Sequence, residues 1–244
     1  KIVCLPELYR TRYFPQWDEM DASGLAESIP GQSTEAFSAL ARELGIVIII
    51  PIYEKTEDDY YNSAAVIDSD GSLLETYHKT HIPYDPLFYE QSYFSPGDEI
   101  RIYETRHARF AVLICYDQWF PEPARVAALG GAQIIFYPTA IGHITGQGEP
   151  PEGDWHDAWE TVQRGHAISN SICVAAVNRV GREESLCFWG GSFVADSFGN
   201  ILAKASSERE EILLADLDLS KNQSVREGWG FFRNRRPDIY WPII

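Results

Sequence analysis

Glu7, Lys79 and Cys115 bring together an acid, a cation and a nucleophile, and each follows a run of apolar, β-prone residues. Such runs predict buried strands. Open α/β sheets assemble their sites at the carboxyl ends of parallel strands. We therefore expect these strand ends to lie together in one sheet, where an acid, a cation and a thiol can perform nucleophilic acyl chemistry. The alternative for Glu7 or Lys79 is a solvated charge at the end of a strand.

The pattern around Cys115 is the most detailed. Residues 109–115 predict a buried strand, residues 121–130 a helix with proline near its start and glycine at its end, and residues 133–137 a second strand. This order puts the thiol just before the amino end of a helix, a position that favours the thiolate. The alternative is an inert cysteine in the core, which is the commoner fate of a lone cysteine.

Each of these residue types has a role in acyl chemistry. Glu7 is predicted to act as the general base, first toward the Cys115 thiol and later toward water. Negative charge develops on the oxygen of the attacked carbonyl, so a cation and a backbone N–H must face that oxygen. Lys79 is the candidate cation, and the backbone N–H of Tyr116 is the candidate donor.

Three short strings carry a resemblance to a known family. Residues 6–7, 78–83 and 113–122 resemble the three signature blocks of the nitrilase, or carbon–nitrogen hydrolase, superfamily. The resemblance covers essentially the whole chain. Further strings resemble the branch of this superfamily that hydrolyses N-carbamoylputrescine: residues 117–122, 135–142, 163–167, 178–179 and 233–240.

The resemblance implies an α/β fold, a four-layer α-β-β-α sandwich of the nitrilase type. Residues 63–73 and 192–202 echo each other residue class by residue class, which suggests two pseudo-repeated halves. We expect residues 1–244 to form a single carbon–nitrogen hydrolase domain. The sequence begins at Lys1 within a strand, and we expect it to lack the first strand and helix that superfamily members carry before the block that holds Glu7.

The resemblance also implies an activity, that of a cysteine-dependent amidohydrolase which cleaves a carbamoyl C–N bond. On N-carbamoylputrescine the products would be putrescine, carbon dioxide and ammonia, a step of polyamine biosynthesis, and no cofactor or metal is required. The superfamily assigns the catalytic roles to Glu7, Lys79 and Cys115, and it implies a second carboxylate at Glu90. The alternative for Glu90 is an exposed loop acid.

The distal ammonium of such a substrate needs a carboxylate or aromatic faces around it. Asp117 and Trp119 directly follow the nucleophile and are the leading candidates. The alternatives are that Asp117 caps the following helix and that Trp119 packs in the core. Further acidic and aromatic candidates are expected at the rim of the site: Tyr84, Asp85, Asp154 and Trp155.

Two other functions stay open. An amidase of the same superfamily that hydrolyses N-carbamoyl amino acids would present Arg or Lys to the substrate carboxylate, whereas acidic and aromatic residues follow Cys115; aliphatic amides are a further substrate class. A catalytically silent member that serves binding or assembly would have lost part of the triad. Here Glu7, Lys79 and Cys115 are all present, which favours an enzyme.

Composition narrows the partners and the compartment. A net charge of −16 argues against nucleic acid and anionic membranes as partners. The four cysteines are widely spaced and form no disulfide framework, which favours the cytoplasm. His81, His143 and His166 lie in different segments without a metal-ligand spacing, so no metal site is predicted. We expect a small-molecule substrate, and self-association with the aromatic tail at 231–244 as a candidate contact.

Overall fold

The structure is a computed structural model that describes residues 1–147 and 150–243. No helix within these ranges has the length and apolar character that crossing a membrane requires. The α-helices are α1 (Gln32–Leu44), α2 (Pro121–Leu129), α3 (Trp155–Asn170) and α4 (Ser220–Trp229). The strands are β1 (Ile2–Cys4), β2 (Val47–Lys55), β3 (Tyr60–Ile67), β4 (Tyr77–His78), β5 (Ile102–Glu104), β6 (Arg109–Val112), β7 (Ile134–Thr139), β8 (Gly142–Ile144), β9 (Cys173–Asn178), β10 (Val180–Glu183), β11 (Leu186–Trp189), β12 (Phe193–Ala195) and β13 (Ile201–Lys204). Short 3-10 helices span Phe14–Gln16, Ser23–Leu25, Glu90–Ser92, Cys115–Trp119, Pro237–Ile239 and Trp241–Ile243.

Two larger sheets form the centre of the fold. The first has the strand order β1-β2-β3-β4, in which β1 is parallel to β2 and the other neighbours are antiparallel. The second has the order β13-β12-β9-β7-β6-β5, with the parallel pairs β6–β7 and β7–β9 at its centre. A third, antiparallel sheet consists of β10, β11 and β8.

The side chains of β2 show how the layers are stacked. Val47 and Ile49 pack in one core with second-sheet residues such as Phe110. Ile48 and Ile50 pack in a separate core on the other face, which α1 covers. Successive side chains of a strand point to opposite faces, so a strand covered on both faces is apolar throughout. Because α2 and α3 contribute to the core around the second sheet, the layers form the predicted α-β-β-α sandwich.

The two halves of the chain repeat one topology. In the first half, β1, α1 and β2 form a parallel strand–helix–strand unit that continues into the antiparallel strands β3 and β4. In the second half, β7, α3 and β9 form the same unit, which leads to β12 and β13. The echoing segments 63–73 and 192–202 cover the corresponding strands β3 and β12 and the turns after them. The pseudo-repeat seen in the sequence therefore has a structural counterpart.

The sheet membership of the three candidate catalytic residues differs from our expectation. Glu7 and Lys79 follow β1 and β4 of the first sheet, whereas Cys115 follows β6 of the second sheet. The expectation of one sheet was wrong because an apolar run predicts a strand without identifying its neighbours. The three side chains instead meet where loops of the two packed sheets come together.

Candidate active site

Cys115 lies in a sharp turn between β6 and α2. Its backbone φ is +45°, in the left-handed region, and it is the first residue of the 3-10 helix Cys115–Trp119. A non-glycine residue costs about 1–3 kcal/mol in this region, so surrounding contacts must hold the turn. The backbone N–H of Leu113 donates to Phe136 O of β7 at 3.0 Å, which extends the strand pairing almost to the turn. Cys115 is thereby fixed at the end of the strand with only 6% of its surface exposed.

Lys79 is fully buried between two carboxylates. Its Nζ donates hydrogen bonds to Glu7 Oε1 at 2.9 Å and to Glu90 Oε2 at 2.6 Å. Burial alone lowers the pKa of Lys79, but the negative charges of Glu7 and Glu90 outweigh burial and raise this pKa above its ordinary value. The side chain is therefore an ammonium at neutral pH and supplies a fixed positive charge.

The two carboxylate oxygens of Glu7 have different surroundings. Oε1 accepts hydrogen bonds from Asn62 Nδ2 at 2.8 Å and from Lys79 Nζ. Oε2 is buried and has no hydrogen-bond partner within the described residues. A buried acceptor without a donor is unfavourable and unusual in a folded protein. This oxygen is the one that is free to take a proton.

The Cys115 thiol has a pKa well above its ordinary value. Burial is the main cause, and the negative charge of Glu7 adds to it. Lys79 and the backbone N–H of Ala140 lower the pKa of the thiol, but they do not offset the increase caused by burial and Glu7. The expected thiolate was therefore wrong, because burial outweighs a helix that begins only at Pro121. A protonated thiol needs a base before it can attack, and Glu7 carries the free oxygen in this site.

Glu90 is fully buried, so the alternative of an exposed loop acid does not apply. Its Oε1 accepts a hydrogen bond from Tyr13 OH at 2.7 Å, and its Oε2 accepts the bond from Lys79. Burial raises the pKa of Glu90 to about 7, with Lys79 opposing the shift and Glu7 adding to it. Glu90 is thus a second carboxylate that shares the lysine charge and titrates near neutral pH.

Asp117 links the turn that holds the nucleophile to the segment that holds the lysine. Its Oδ1 accepts from Thr80 Oγ1 at 2.8 Å and from His81 N at 2.9 Å, and lies 2.7 Å from His81 Nδ1. Its Oδ2 accepts from Tyr77 OH at 2.7 Å and from Ile114 N at 2.8 Å. The carboxylate is fully buried with both oxygens occupied. This geometry favours the structural alternative for Asp117 over contact with a substrate ammonium.

Trp119 and Tyr116 belong to the same 3-10 helix. Trp119 is half-buried and packs against the main core, which agrees with a packing role, the alternative to contact with the substrate. Tyr116 follows the nucleophile directly, and N–H groups in the first turn of a helix have no partner inside the helix. The Tyr116 ring packs edge-on against Phe120 with centroids 5.4 Å apart. The predicted roles of the Tyr116 N–H and of Trp119 stay predictions.

Tyr84 and Asp85 lie on the surface. Tyr84 is 52% exposed, and its hydroxyl donates to Asp18 Oδ2 at 3.0 Å. Asp85 is exposed, and its backbone pairs with that of Phe88 in a tight turn. Their place at the rim of the site stays a prediction, since these contacts tie them to surface groups.

Asp154 and Trp155 line an open cleft of about 560 Å³. Asp154 caps α3 by accepting from the backbone N–H groups of His156 and Asp157, bonds that lower the pKa of Asp154. Ala140, whose backbone N–H lowers the pKa of the Cys115 thiol, is followed after Ile141 by β8, which lines the cleft. Other side chains that line the cleft are His143, Thr145, Arg182 and Cys187.

Sequence reasoning missed three groups that contact the site: Asn62, Tyr13 and Ala140. A signal existed for Asn62, because it is a polar residue inside the apolar strand β3. Tyr13 and Ala140 reach the site through loop conformations, for which the sequence carries no short-range pattern. Two of the histidines for which the sequence predicted no metal site have these surroundings: His166 bonds Gln118 O at 2.8 Å, and the His143 ring packs beside Trp189.

A buried thiol, a neighbouring carboxylate and a lysine between two carboxylates are the groups that nucleophilic hydrolysis of an amide-type bond requires, and they stand here on a four-layer α/β fold. The carbon–nitrogen hydrolase family model matches residues 1–227, and the chain belongs to this family, the nitrilase superfamily. It is a hydrolase that acts on C–N bonds, and within the superfamily it is an amidase.

Known relatives agree on this class and differ in substrate. The chain is 41% identical to an N-carbamoylputrescine amidase of Solanum lycopersicum, over 100% of this chain and 83% of that protein. It is 39% identical to a citrullinase of Francisella tularensis, over 100% of this chain and 86% of that protein. The fold matches the crystal structure of a carbon–nitrogen hydrolase from Helicobacter pylori G27 with a TM-score of 0.94 and 41% identity, over 100% of this chain and 86% of that chain. The resemblance seen in the motifs is confirmed.

Proposed function

We propose that this amidase uses Cys115 to cleave the carbamoyl C–N bond of a ureido compound, with N-carbamoylputrescine as the first candidate substrate. The observation that supports the mechanism is the Glu7 Oε2, which has no hydrogen-bond partner among the described residues, in the same buried site as the Cys115 thiol, whose pKa burial raises. The similarity to the N-carbamoylputrescine amidase of tomato supports the substrate.

In the first half of the reaction, Glu7 removes the thiol proton while the sulfur of Cys115 forms a bond to the ureido carbon. The carbonyl oxygen becomes negative and is stabilised by the Lys79 ammonium and the Tyr116 N–H. Glu7 then gives the proton to the departing nitrogen as the C–N bond breaks. A carbamoyl thioester is left on Cys115, and ammonia or the amine leaves.

In the second half, Glu7 takes a proton from water as the water oxygen adds to the thioester carbon. The C–S bond breaks, and the proton returns to sulfur. The released carbamic acid decomposes, so N-carbamoylputrescine and water yield putrescine, carbon dioxide and ammonia. Lys79 keeps its proton because its pKa is raised, which leaves Glu7 as the group that moves protons in both halves.

The far end of the substrate points toward the cleft that Asp154 and Trp155 line. A carboxylate and an indole face suit an ammonium group, and this pair takes over the role first assigned to Asp117. β8 follows Ala140 closely in the chain and lines the cleft through His143 and Ile144, which supports placing the four-carbon tail there. Trp119, Tyr84 and Asp85 stay candidates for the same pocket.

Arg182 favours a second candidate, a ureido α-amino acid such as citrulline. The cleft contains the Arg182 guanidinium and the Asp154 carboxylate, and these opposite charges match the carboxylate and ammonium of an α-amino acid head group. Arg182 lies far along the chain from Cys115, so the acidic and aromatic residues after Cys115 are not the whole environment of a substrate carboxylate. The similarity to a citrullinase supports this candidate.

Ammonia release from N-carbamoylputrescine, citrulline and N-carbamoyl-β-alanine tests the proposal. We expect the highest kcat/KM on N-carbamoylputrescine, and no ammonia from any substrate with the Cys115→Ala variant. Asp154→Asn keeps the helix cap and should lower kcat/KM on the amine substrate about tenfold. Arg182→Met should lower kcat/KM on the two carboxylate-bearing substrates and leave that on N-carbamoylputrescine unchanged. Absence of turnover on all three ureido compounds would refute the proposed activity.

We also propose a cytoplasmic protein that forms one domain and associates with itself through its aromatic tail. Ile239 and Trp241 in this tail are 55% and 71% exposed, and apolar side chains of this size are often covered by a partner. Light scattering coupled to size-exclusion chromatography tests the association. A monomeric mass at micromolar concentration would contradict it.

A further inference from the structure

Glu7 is held by a segment without regular structure. β1 ends at Cys4 and the next helix begins at Phe14. The Leu5 N–H still donates to Ile49 O of β2 at 3.1 Å, and beyond it no strand or helix covers residues 6–13. Leu8, directly after the acid, has a φ of +48° and is 1% exposed. A buried non-glycine residue in the left-handed region persists only where surrounding contacts determine it. The position of the Glu7 carboxylate therefore depends on what holds this segment.

Arg179, from the second half of the chain, holds the backbone of this segment. Its Nη2 donates to Glu7 O at 3.2 Å, to Leu8 O at 2.8 Å and to Thr11 O at 2.9 Å. One guanidinium nitrogen has two hydrogens, so the three carbonyls share them. Arg179 is only 8% exposed, and its guanidinium lies 5.5 Å from the centre of the Phe188 ring.

The same guanidinium also reaches the other end of the segment through Glu183. Arg179 Nη1 lies 2.6 Å from Glu183 Oε1, and Glu183 Oε2 accepts from the Tyr13 backbone N–H at 2.7 Å. The Tyr13 hydroxyl then donates to Glu90. The contacts form a closed ring, because Glu90 and Glu7 both bond the same lysine ammonium.

We propose that Arg179 and Glu183 are positioning residues for the reaction: they set the distance and orientation of Glu7 and Glu90 on either side of Lys79. A buried ion pair is weak support for stability, since desolvation offsets the attraction. Its effect here is on geometry, because the side-chain hydrogen bonds that the pair makes to other residues go to the segment that carries Glu7 and to Tyr13. The test by turnover of a ureido substrate rests on the proposed function, whereas the test by alkylation of Cys115 does not.

Three variants test the pair, with a matched control. Arg179→Met removes the contacts, Arg179→Lys keeps the charge with a shorter reach, and Glu183→Gln keeps an acceptor without the charge. The control is Arg12→Met, since Arg12 joins the same two segments through an exposed pair with Glu184 at 3.0 Å. Exposed pairs contribute little, so the control should stay within about twofold of the native enzyme.

We expect kcat to fall about a hundredfold in Arg179→Met with KM changed by less than about threefold, because a displacement near 1 Å has this effect on chemistry. The kcat of Arg179→Lys should be about tenfold higher than that of Arg179→Met. The kcat of Glu183→Gln should be about tenfold lower than that of the native enzyme. Unchanged kcat in folded Arg179→Met would overturn the proposal. A rise in KM alone would overturn it as well, since it would show a binding role.

The second assay needs no substrate. It measures the rate at which iodoacetamide alkylates Cys115, by intact-protein mass spectrometry well below the unfolding temperature. Burial keeps the thiol pKa raised, and displacement of Glu7 takes the base away from this thiol, so alkylation should become slower together with turnover. Equal alkylation rates in native enzyme and folded variants would contradict the proposal even if no ureido substrate is turned over. Loss of the fold in all three variants would make the pair a stability element and overturn it too.

Discussion

Lys79 Nζ lies 2.6 Å from Glu90 Oε2 and 2.9 Å from Glu7 Oε1, so one buried ammonium is shared by two buried carboxylates. One positive charge cannot compensate two negative charges in a site of low polarity. Burial raises the pKa of Glu90 to about 7 and the charge of Glu7 adds to this shift, while the two carboxylates raise the pKa of Lys79 above its ordinary value. This imbalance determines the expected responses to pH and to mutation.

The stability of the protein should fall as Glu90 ionises. The pKa of Glu90 is raised from 4.5 to about 7 on folding, so between these values the folded state binds more protons than the unfolded state. Stability therefore decreases as pH rises through this window. Glu90→Gln removes this dependence, and we expect the variant to gain up to about 3 kcal/mol relative to the native protein between pH 5 and pH 8. Urea unfolding at four pH values measures the difference; a constant difference would contradict the raised pKa.

Lys79→Met should destabilise the protein and abolish turnover. The change leaves the carboxylates of Glu7 and Glu90 buried without a cation, at a cost of about 3–5 kcal/mol at pH 8. The double variant Lys79→Met/Glu90→Gln has one acid fewer to bury and should regain part of the stability with no activity. Thermal unfolding of the two variants makes the comparison. If Lys79→Met is as stable as the native protein, the carboxylates of Glu7 and Glu90 are not ionised in the site.

Cys115→Ser should abolish turnover while the fold is kept. The two side chains are nearly isosteric, so the free energy of unfolding should change by no more than about 1–2 kcal/mol. The hydroxyl is a much weaker acid than the thiol and stays unreactive beside Glu7. Ammonia release and circular dichroism of the purified variant measure the two effects. Substantial activity in a pure, refolded sample would end the assignment of the nucleophile.

The Asp117→Asn variant distinguishes the substrate-binding role that the sequence predicted from the structural role that the hydrogen bonds indicate. A carboxylate that binds the substrate ammonium predicts a loss on amine substrates alone. The observed carboxylate accepts from Tyr77, Thr80, His81 and Ile114, and an amide would place its NH₂ against these donors. We expect a loss of about 1.5–3 kcal/mol in stability and similar decreases in kcat/KM on N-carbamoylputrescine and on a neutral N-carbamoyl alkylamine. A loss confined to the amine substrate would restore Asp117 to the substrate pocket.

The sequence predicted the helix after Cys115 and the identity of the buried residues Glu7, Lys79 and Glu90, because local periodicity and motif strings report on these features. The predicted helix at 121–130 is observed as Pro121–Leu129. Sheet membership was not predictable in the same way. An apolar run shows that a strand is covered on both faces, but the partner strands depend on contacts between distant parts of the chain.

The pKa of the Cys115 thiol and the hydrogen-bond partners of Asp117 could not be predicted from the sequence either. The helix after Cys115 favours a thiolate when considered alone, yet burial and Glu7 raise the thiol pKa. Asp117 was assigned by its distance along the chain from the nucleophile, but three of its hydrogen bonds come from residues 77–81, about forty positions away. Such contacts exist only after the two sheets have packed together.

The meeting of two sheets at the site has a consequence for how the enzyme becomes active. A chain opened between β4 and β5 after residue 97 would give one fragment with Glu7, Lys79 and Glu90 and another with Cys115. Neither fragment carries a complete set of reacting groups, so activity would appear only on complementation of the two. During synthesis the acids likewise precede the thiol, and the chain becomes an enzyme only when its later half docks onto its earlier half.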